Sequence, residues 1–423
     1  MFIDFPKSDF VLKGLEDIVI PPMVKIRQKF DSSCIEDIRG HLISNMNETI
    51  TDKEWYRDKR ICITGGSRGI SNIDLITKTV VDQLKEWGAK PFIIPAMGSH
   101  AGGTAEGQKE MLATFNITEE SMGAEILSSM NVVQYSSLED GTPLYIDKYA
   151  YNSDGIVIIN KVKPHTNFHG KHESGLAKMM AIGLGKHVGS AMFHMKGFPT
   201  FAERIPQVCE EFLKCFKNVF AVGIVENAYD KICRLEVAPR ENILEKDAEL
   251  LQVAKKNMAH FKYPHMDVIV IDEMGKNVSG TGFDPNIISH EVLDYQQLFV
   301  RGLTEDTHHN ACGIGFVDIS TQRMLNDIDW DSTWTNIANS TVLYSGRIPM
   351  YANSDKEALL IAIRSCNNID FNKAKIVRIK NTLHMDEIEV SLAYWEEIKD
   401  YEGIERIGEF REIQFDAEGY IIE

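Results

Sequence analysis

The chain has 423 residues, of which 43% are hydrophobic and 25% charged, and its formal net charge is −17. This length exceeds what one hydrophobic core normally spans, so we expect two domains. The negative charge argues against nucleic acid and anionic membranes as partners, because both attract clustered Lys and Arg side chains.

The sequence also lacks the usual marks of export and of membrane insertion. No run of about 18 apolar residues occurs, and the N-terminus has no basic flank followed by an apolar stretch, so we expect no secretory signal. The seven cysteines are scattered, without a Cys-x-x-Cys pair. This pattern predicts a reduced, cytoplasmic protein with mostly buried thiols, without a disulfide framework or a thiolate zinc site.

Short apolar runs alternate with amphipathic helices along the chain. The expected strands lie at 60–64, 91–96, 155–162, 218–227, 266–273, 313–319 and 375–382, and the expected helices at 73–87, from about 104, at 201–216, 241–260 and 354–366. We place a domain boundary at Tyr263–Pro264, which gives domains at 1–263 and 264–423. The alternation predicts two α/β domains, with a mainly parallel sheet in the first. Ligand loops are then expected at the carboxyl ends of the strands, in an active-site cleft between the domains.

The first apolar run leads into a glycine-rich turn, "RICITGGSRGISNI" at 60–73. Such a turn between a strand and a helix suits an anion. It is not a dehydrogenase signature, because Ser71 replaces the last glycine and no Tyr precedes a Lys by four residues. Arg68 within the turn can grip a carboxylate with two parallel hydrogen bonds, although a solvated Arg in a tight turn fits equally well.

A histidine-rich segment, "KPHTNFHGKHESGLAKMMAIGLGKHVGSAMFHMKG", follows the expected strand at 155–162 and holds five of the 13 histidines. Imidazole suits Zn, Cu, Fe and Ni, and it is a ready acid or base near neutral pH. His165, His169 and His172 could form a zinc triad. For any one of these histidines alone, a structural role is the simpler interpretation.

Two further residues stand out by their surroundings. Lys178 lies in an apolar run, where it either extends its amine to the surface or is buried, with a lowered pKa, as a nucleophile or covalent cofactor anchor. A pyridoxal-phosphate Schiff base is one such possibility. His100 follows a strand in "PAMGSHAGGTAEG", a position typical of sites in open α/β sheets, although it could simply support the loop.

Together these segments resemble the lactate racemase superfamily, whose members use a nickel-pincer nucleotide. In the family a Ser-Gly-x-x-Lys segment holds the lysine that is joined to the cofactor, and "SGLAK" places Lys178 there. The family's nickel-ligating histidine corresponds to His194. The glycine turn, with Gly65 and Gly66, would then contact the cofactor.

The resemblance also implies the substrate groups. "GSH" and "KPH" match the family's two acid/base histidines and give His100 and His165. Arg68 matches the residue that binds the substrate carboxylate, and Lys276 in "MGKNVSGTG" is the candidate for a second-domain lysine. The chain departs from the pattern in two ways: "HGKHE" lengthens the gap before Lys178, and "GGSR" lacks the acidic residue that precedes the arginine.

The implied activity is a racemase or epimerase that inverts C2 of a 2-hydroxy acid by hydride transfer to the lysine-tethered cofactor. The polar loops "SHAGGT" and "TNFHGKHE" favour a larger hydroxylated or doubly charged acid, such as an aldonate or malate, over lactate. The implied partners are this small molecule and the enzymes that build the cofactor, without which the protein is expected to be apo. A zinc-dependent hydrolase using the histidine triad, and a binding protein that has lost the cofactor, are the alternatives.

Overall fold

The computed structural model describes residues 1–67 and 69–422, so the prediction for Arg68 lies outside the described residues. The strands, in chain order, are β1 Met23–Gln28, β2 Arg60–Gly65, β3 Lys90–Pro95, β4 Glu125–Ile126, β5 Val132–Ser137, β6 Pro143–Asp147, β7 Gly155–Lys161, β8 Val219–Glu226, β9 Ile232–Pro239, β10 Val268–Ile271, β11 Gln297–Val300, β12 Ile319–Thr321, β13 Met350–Ala352, β14 Ile376–Ile379, β15 Glu387–Ser391 and β16 Ile404–Arg406. The α-helices are α1 Ile38–Thr49, α2 Ile73–Glu86, α3 Ala105–Thr114, α4 Glu119–Met122, α5 Lys148–Tyr151, α6 Leu176–Lys178, α7 Lys186–His194, α8 Phe201–Cys215, α9 Ile243–Asn257, α10 Gln322–Asp327, α11 Trp330–Ser340, α12 Asp355–Arg364 and α13 Leu392–Ile398.

The chain divides into two compact units, and the N-terminal residues do not group with the segment that follows them. A central unit spans Asp31–Met258, and a discontinuous unit combines Met1–Phe30 with Ala259–Glu423. The expected domain at 1–263 therefore differs from the structure in its first thirty residues and in residues 259–263. The reason is a long-range pairing, since β1 is hydrogen-bonded antiparallel to both β15 and β16.

The central unit is built on a sheet in the order β4-β3-β2-β7-β8-β9, parallel except for the β8–β9 pair. The inner strands β3, β2, β7 and β8 are rich in β-branched residues and almost fully buried, as parallel strands covered on both faces should be. Helix α2 packs on this sheet through an apolar stripe at Ile76, Val80 and Leu84, each 0% exposed. The steps of four residues between them match one face of a helix.

The discontinuous unit holds a mixed sheet in the order β13-β12-β11-β10-β14-β15-β1-β16. The strand expected at 313–319 is wrong, because Ile314–Phe316 forms a 3₁₀ turn and β12 begins at Ile319. Gly313 causes this difference: its φ is +100°, and a Cβ there would lie 1.9 Å from the carbonyl oxygen of Thr281. A left-handed residue held against another backbone cannot continue a strand.

All seven cysteines are unpaired, and Cys34 and Cys215 are exposed while Cys62, Cys209, Cys312 and Cys366 are buried. Among the helices of the described residues, none combines the length and the apolar character needed to cross a membrane.

Candidate active site

Three loops of the central unit leave the same edge of its sheet. Strands β2, β3 and β7 are parallel neighbours, and Gly65 at the end of β2 is paired with Pro95 at the end of β3. The carboxyl ends of parallel strands form the usual ligand-binding edge of an open sheet. The loops that carry Ser67, His100 and His165 all begin at this edge.

The two glycines that follow the first of these strands have different surroundings. A Cβ on Gly65 would lie 2.6 Å from Cδ2 of Leu112, so a larger residue there would have to displace this buried side chain of α3. A Cβ on Gly66 would meet only ordinary contacts, 3.5 Å from Met179 Cε and 3.6 Å from Asn160 Oδ1. Contact of either glycine with a cofactor stays a prediction.

His100 lies in a loop whose backbone is unusual. Gly98, Ala101, Gly102 and Gly103 all have positive φ, between +52° and +68°. The His100 Nδ1 atom is hydrogen-bonded to the Ser67 hydroxyl at the end of β2. If His100 donates in this bond, its Nε2 carries a lone pair and can act as a base.

His165 is buried and held from two sides. Its backbone N–H donates to Glu173 Oε2 at 2.7 Å, and its Nδ1 accepts from the backbone N–H of Asn167 at 3.0 Å. The neutral ring therefore carries its proton on Nε2. The ring packs on Phe168 with a centroid distance of 4.3 Å. In this arrangement His165 can donate a hydrogen bond from Nε2 to an oxygen atom.

Lys178 is half-buried where α6 passes into a π-helical turn at Met179–Gly183. Such turns occur frequently at functional sites. The start of α6 is fixed by the buried carboxylate of Asp247, which accepts the N–H of Leu176 at 2.6 Å and contacts His172 Nδ1 at 2.9 Å. Asp247 and His172 are 0% and 2% exposed. A buried carboxylate thus fixes the segment that presents Lys178.

His194, the last residue of α7, has one ring nitrogen that could bind a metal ion. Its Nδ1 donates to the backbone carbonyl of Ser190 at 2.7 Å, so Nε2 carries the lone pair. Burial lowers the pKa of His194 below its usual value; the hydrogen bond to Ser190 partly opposes this shift, and the positive charge of Lys178 adds a smaller lowering. The ring is therefore neutral at pH 7, as metal binding requires.

Aromatic packing connects these groups. The Phe198 ring lies 5.8 Å from the His165 ring and 5.5 Å from the His194 ring, centroid to centroid. The loop of His100 approaches the same helix, because a Cβ on Gly98 would lie 3.3 Å from the side chain of Ser190. The central unit thus brings the loops of both predicted acid/base histidines to the helix of the predicted nickel ligand.

Two further histidines of the predicted zinc triad, and the predicted second-domain lysine, have partners of their own. His172 is paired with Asp247, while His169 Nδ1 lies 3.4 Å from Glu173 Oε2. The described residues contain no group of three or more His, Cys, Asp and Glu side chains placed to share a metal ion. Lys276 belongs to the discontinuous unit, where its Nζ donates to Asn336 Oδ1 at 2.6 Å.

Sequence reasoning missed three buried residues around these loops: Gln108, Lys186 and Asp247, each 0% exposed. A signal was present for Lys186, which lies in the same apolar run as Lys178 and is the more deeply buried of the two lysines. For Gln108 and Asp247 the sequence offers no comparable signal, since each lies on an ordinary polar helix.

Residues 41–200 match the model of the lactate racemase N-terminal domain. His100, His165, Lys178 and His194 all fall within this match. No curated protein sequence matches the chain.

In structure, the chain is similar to the lactate racemase apoprotein from Thermoanaerobacterium thermosaccharolyticum, with a TM-score of 0.53 and 16% identity over 91% of this chain and 99% of that chain. A crystal structure of a Thermotoga maritima protein from a structural genomics consortium gives a TM-score of 0.49 and 13% identity, over 83% of this chain and 97% of that chain. At 16% identity the first likeness concerns the fold, and it confirms the predicted α/β class.

Proposed function

We propose that this chain is a racemase or epimerase that inverts C2 of a 2-hydroxy acid, because residues 41–200 match the model of the lactate racemase N-terminal domain and the fold is similar to that of a lactate racemase apoprotein. The proposed cofactor is a nickel-pincer nucleotide joined to Lys178. The observation that carries the proposal is the geometry of His194: a hydrogen bond from Nδ1 to a backbone carbonyl leaves Nε2 available as a ligand, in the same segment as Lys178.

The residues present fit such a group. Nickel accepts imidazole nitrogen, and His194 offers Nε2 with its tautomer fixed by Ser190. Lys178 is close enough for its charge to act on that ring. When bound, the cofactor supplies the acceptor and donor of the C2 hydrogen as hydride. The protein has to hold the substrate, move the hydroxyl proton and exclude water.

Proton transfer is assigned to His100 and His165, one for each face of the substrate. Loss of a C2 hydrogen as hydride is easier when a base removes the hydroxyl proton at the same time. The His100 tautomer that donates to Ser67 leaves Nε2 ready to accept that proton. His165 begins instead as a donor, because Asn167 occupies its Nδ1. For His165 to act as a base, that contact has to open first.

Substrate binding is assigned to Arg68 for the carboxylate, with Lys276 as the second cation. Holding the carboxylate lets the flat 2-oxo acid turn over without leaving. A site in a cleft between the two units, a cytoplasmic location and the dependence on cofactor-building enzymes stay predictions. The polar His100 and His165 loops support a hydroxyl-rich or doubly charged acid as the substrate.

The test is to produce the chain together with cofactor-building enzymes and to analyse the peptide that contains Lys178. We expect a sulfur-containing adduct on Lys178, nickel in the protein, and inversion of at least one 2-hydroxy acid. Lys178→Ala and His194→Ala should each abolish inversion, whereas Lys171→Ala, an exposed lysine in the same segment, should not. Zinc with an unmodified Lys178, or full activity of both variants, would contradict the proposal.

A further inference from the structure

The strongest unexplained feature of the central unit is the buried ammonium group of Lys186. The side chain is 0% exposed. Its Nζ donates to the carbonyl oxygen of Pro95 and lies 3.3 Å from Gln108 Oε1 and 3.2 Å from Asp147 Oδ2. The contacts with Pro95 and Gln108 are hydrogen bonds, and the contact with Asp147 is an ion pair. Burial lowers the pKa of Lys186, and Asp147 opposes that shift.

This arrangement is unfavourable on its own. A buried charge loses its hydration, and even a paired one often stabilises a fold no more than apolar side chains would. Lys186 also has φ +53°, in the left-handed region that disfavours residues with a Cβ. Strained backbone of this kind is found preferentially at functional sites. Lys186 is the first residue of the helix that ends at His194.

Gln108 connects this lysine to the loop of His100. Its Nε2 donates to the carbonyl oxygens of Gly98 at 3.0 Å and of His100 at 3.3 Å. A side-chain amide can be turned in two ways, with oxygen and nitrogen exchanged. Because an ammonium group can only donate, Lys186 requires the oxygen of Gln108 on its own side. The amide donors must then face the loop.

The loop needs such support. Its residues with positive φ include Ala101, which has no glycine freedom. Its backbone carbonyls at Gly98 and His100 are held by one side chain from a different element, α3. If that side chain were turned or lost, the loop would keep the hydrogen bond of the Ser67 hydroxyl to the His100 ring and that of the Gly98 N–H to the carbonyl oxygen of Gly183, but the carbonyl groups of Gly98 and His100 would lose the donors from α3.

We propose that Lys186 and Gln108 are a pair of positioning residues: Lys186 fixes the orientation of the Gln108 amide, and Gln108 holds the His100 loop in place for proton transfer. The link to proton transfer rests on the function proposed above. The link between the pair and the loop does not, and it can be tested in the apoprotein.

Two substitutions of Gln108 distinguish its role as an acceptor for Lys186 from its role as a donor to the His100 loop. Gln108→Glu keeps an acceptor for Lys186 but replaces both donors with an oxygen that faces two carbonyl groups. Gln108→Met removes the donors without adding charge. The matched control is Gln28, a buried glutamine of the other unit, whose Nε2 donates to the carbonyl oxygen of Met385 at 2.8 Å. Gln28→Glu and Gln28→Met measure how far the loss of a buried glutamine amide, at any place in the fold, changes hydrogen exchange in the His100 loop.

The first measurement is hydrogen exchange of residues 97–104 in the apoprotein. Both Gln108 variants should increase exchange there by about ten- to hundredfold, while the Gln28 variants leave it unchanged. Lys186→Met should act in the same direction if it folds. Exchange at wild-type rates in both Gln108 variants, or an increase in Gln108→Met alone, would overturn the proposal, because the loop would then not depend on the two donors.

The second measurement uses the loaded enzyme and separates positioning from general stability. Since Gln108 is 0% exposed and so offers no surface to a substrate, both variants should lower kcat at least about tenfold with KM nearly unchanged. Unchanged kcat in a variant with a mobile loop would overturn the role in proton transfer. If the wild-type enzyme inverts no hydroxy acid, the proposed function fails, and the exchange data still decide whether the pair holds the loop.

Discussion

Replacement of Asp247 by alanine should weaken the central unit more than the loss of any surface ion pair. Oδ1 of Asp247 accepts the N–H of Leu176 at 2.6 Å, and Oδ2 lies 2.9 Å from His172 Nδ1. Neither Asp247 nor His172 is more than 2% exposed. Removing one partner of a buried charged cluster costs about 3–5 kcal/mol, because the remaining groups stay buried without partners.

For a domain of 150 to 250 residues, each kcal/mol shifts the midpoint of thermal unfolding by about 2–4 °C. Asp247→Ala should therefore lower Tm by roughly 6–20 °C, measured by circular dichroism. The control is Glu54→Ala in the same unit, since the Glu54 and Arg57 side chains are 84% and 71% exposed and lie 3.2 Å apart. An exposed pair of this kind contributes little. If the two variants unfold at the same temperature, the reasoning about the buried cluster is wrong.

Two further changes test the surroundings of the site. The His194 ring should stay neutral as the pH falls through 6.5, because its pKa is lowered in the folded protein. The folded state should lose stability as the pH falls below 6.5, since the unfolded chain then binds a proton more readily than the folded one. Lys178→Met should raise the pKa of His194 only in part, because burial is the larger cause. NMR titration of the ring in the apoprotein checks this, and a pKa of 6.5 or above would contradict it. Gly183→Ala should destabilise by about 1–3 kcal/mol, because its Cβ would lie 2.7 Å from the carbonyl oxygen of Ala96. Gly189 is a helical position where a Cβ would have its nearest contact at 3.8 Å, so Gly189→Ala should raise the free energy of unfolding. Denaturant unfolding measures both variants, and equal changes in their free energies of unfolding would refute the argument.

Local pattern was enough to predict the elements that carry the site. The apolar run after Arg60 becomes β2, and the stripe that starts at Ile73 becomes α2, with ends within a residue or two of those expected. Both depend on neighbouring residues alone. The place of β1 in the sheet could not be found in this way, because its partners lie more than 350 residues away, as the pairing of Met23 with Ser391 illustrates.

Short motifs were enough to name candidate site residues, but they do not reveal features that depend on distant partners. His100, His165, Lys178 and His194 were named from such motifs, and their roles stay predictions. Lys186 was missed although it lies eight residues after Lys178, because burial of a lysine depends on acceptors from other elements, here Asp147. The tautomer of His165 could not be predicted from the sequence either, because it is set by the backbone N–H of Asn167, whose direction is defined only in the folded loop.

The central claim, inversion of a 2-hydroxy acid by hydride return, is tested most directly by running the reaction in deuterated water. The loaded enzyme should be offered a panel of 2-hydroxy acids and aldonates, and the inverted product analysed by NMR and mass spectrometry for deuterium at C2. Hydride return predicts that the product keeps its original C2 hydrogen, with at most solvent exchange at the hydroxyl group. Incorporation of solvent deuterium at C2 would show removal of that hydrogen as a proton and would contradict the account.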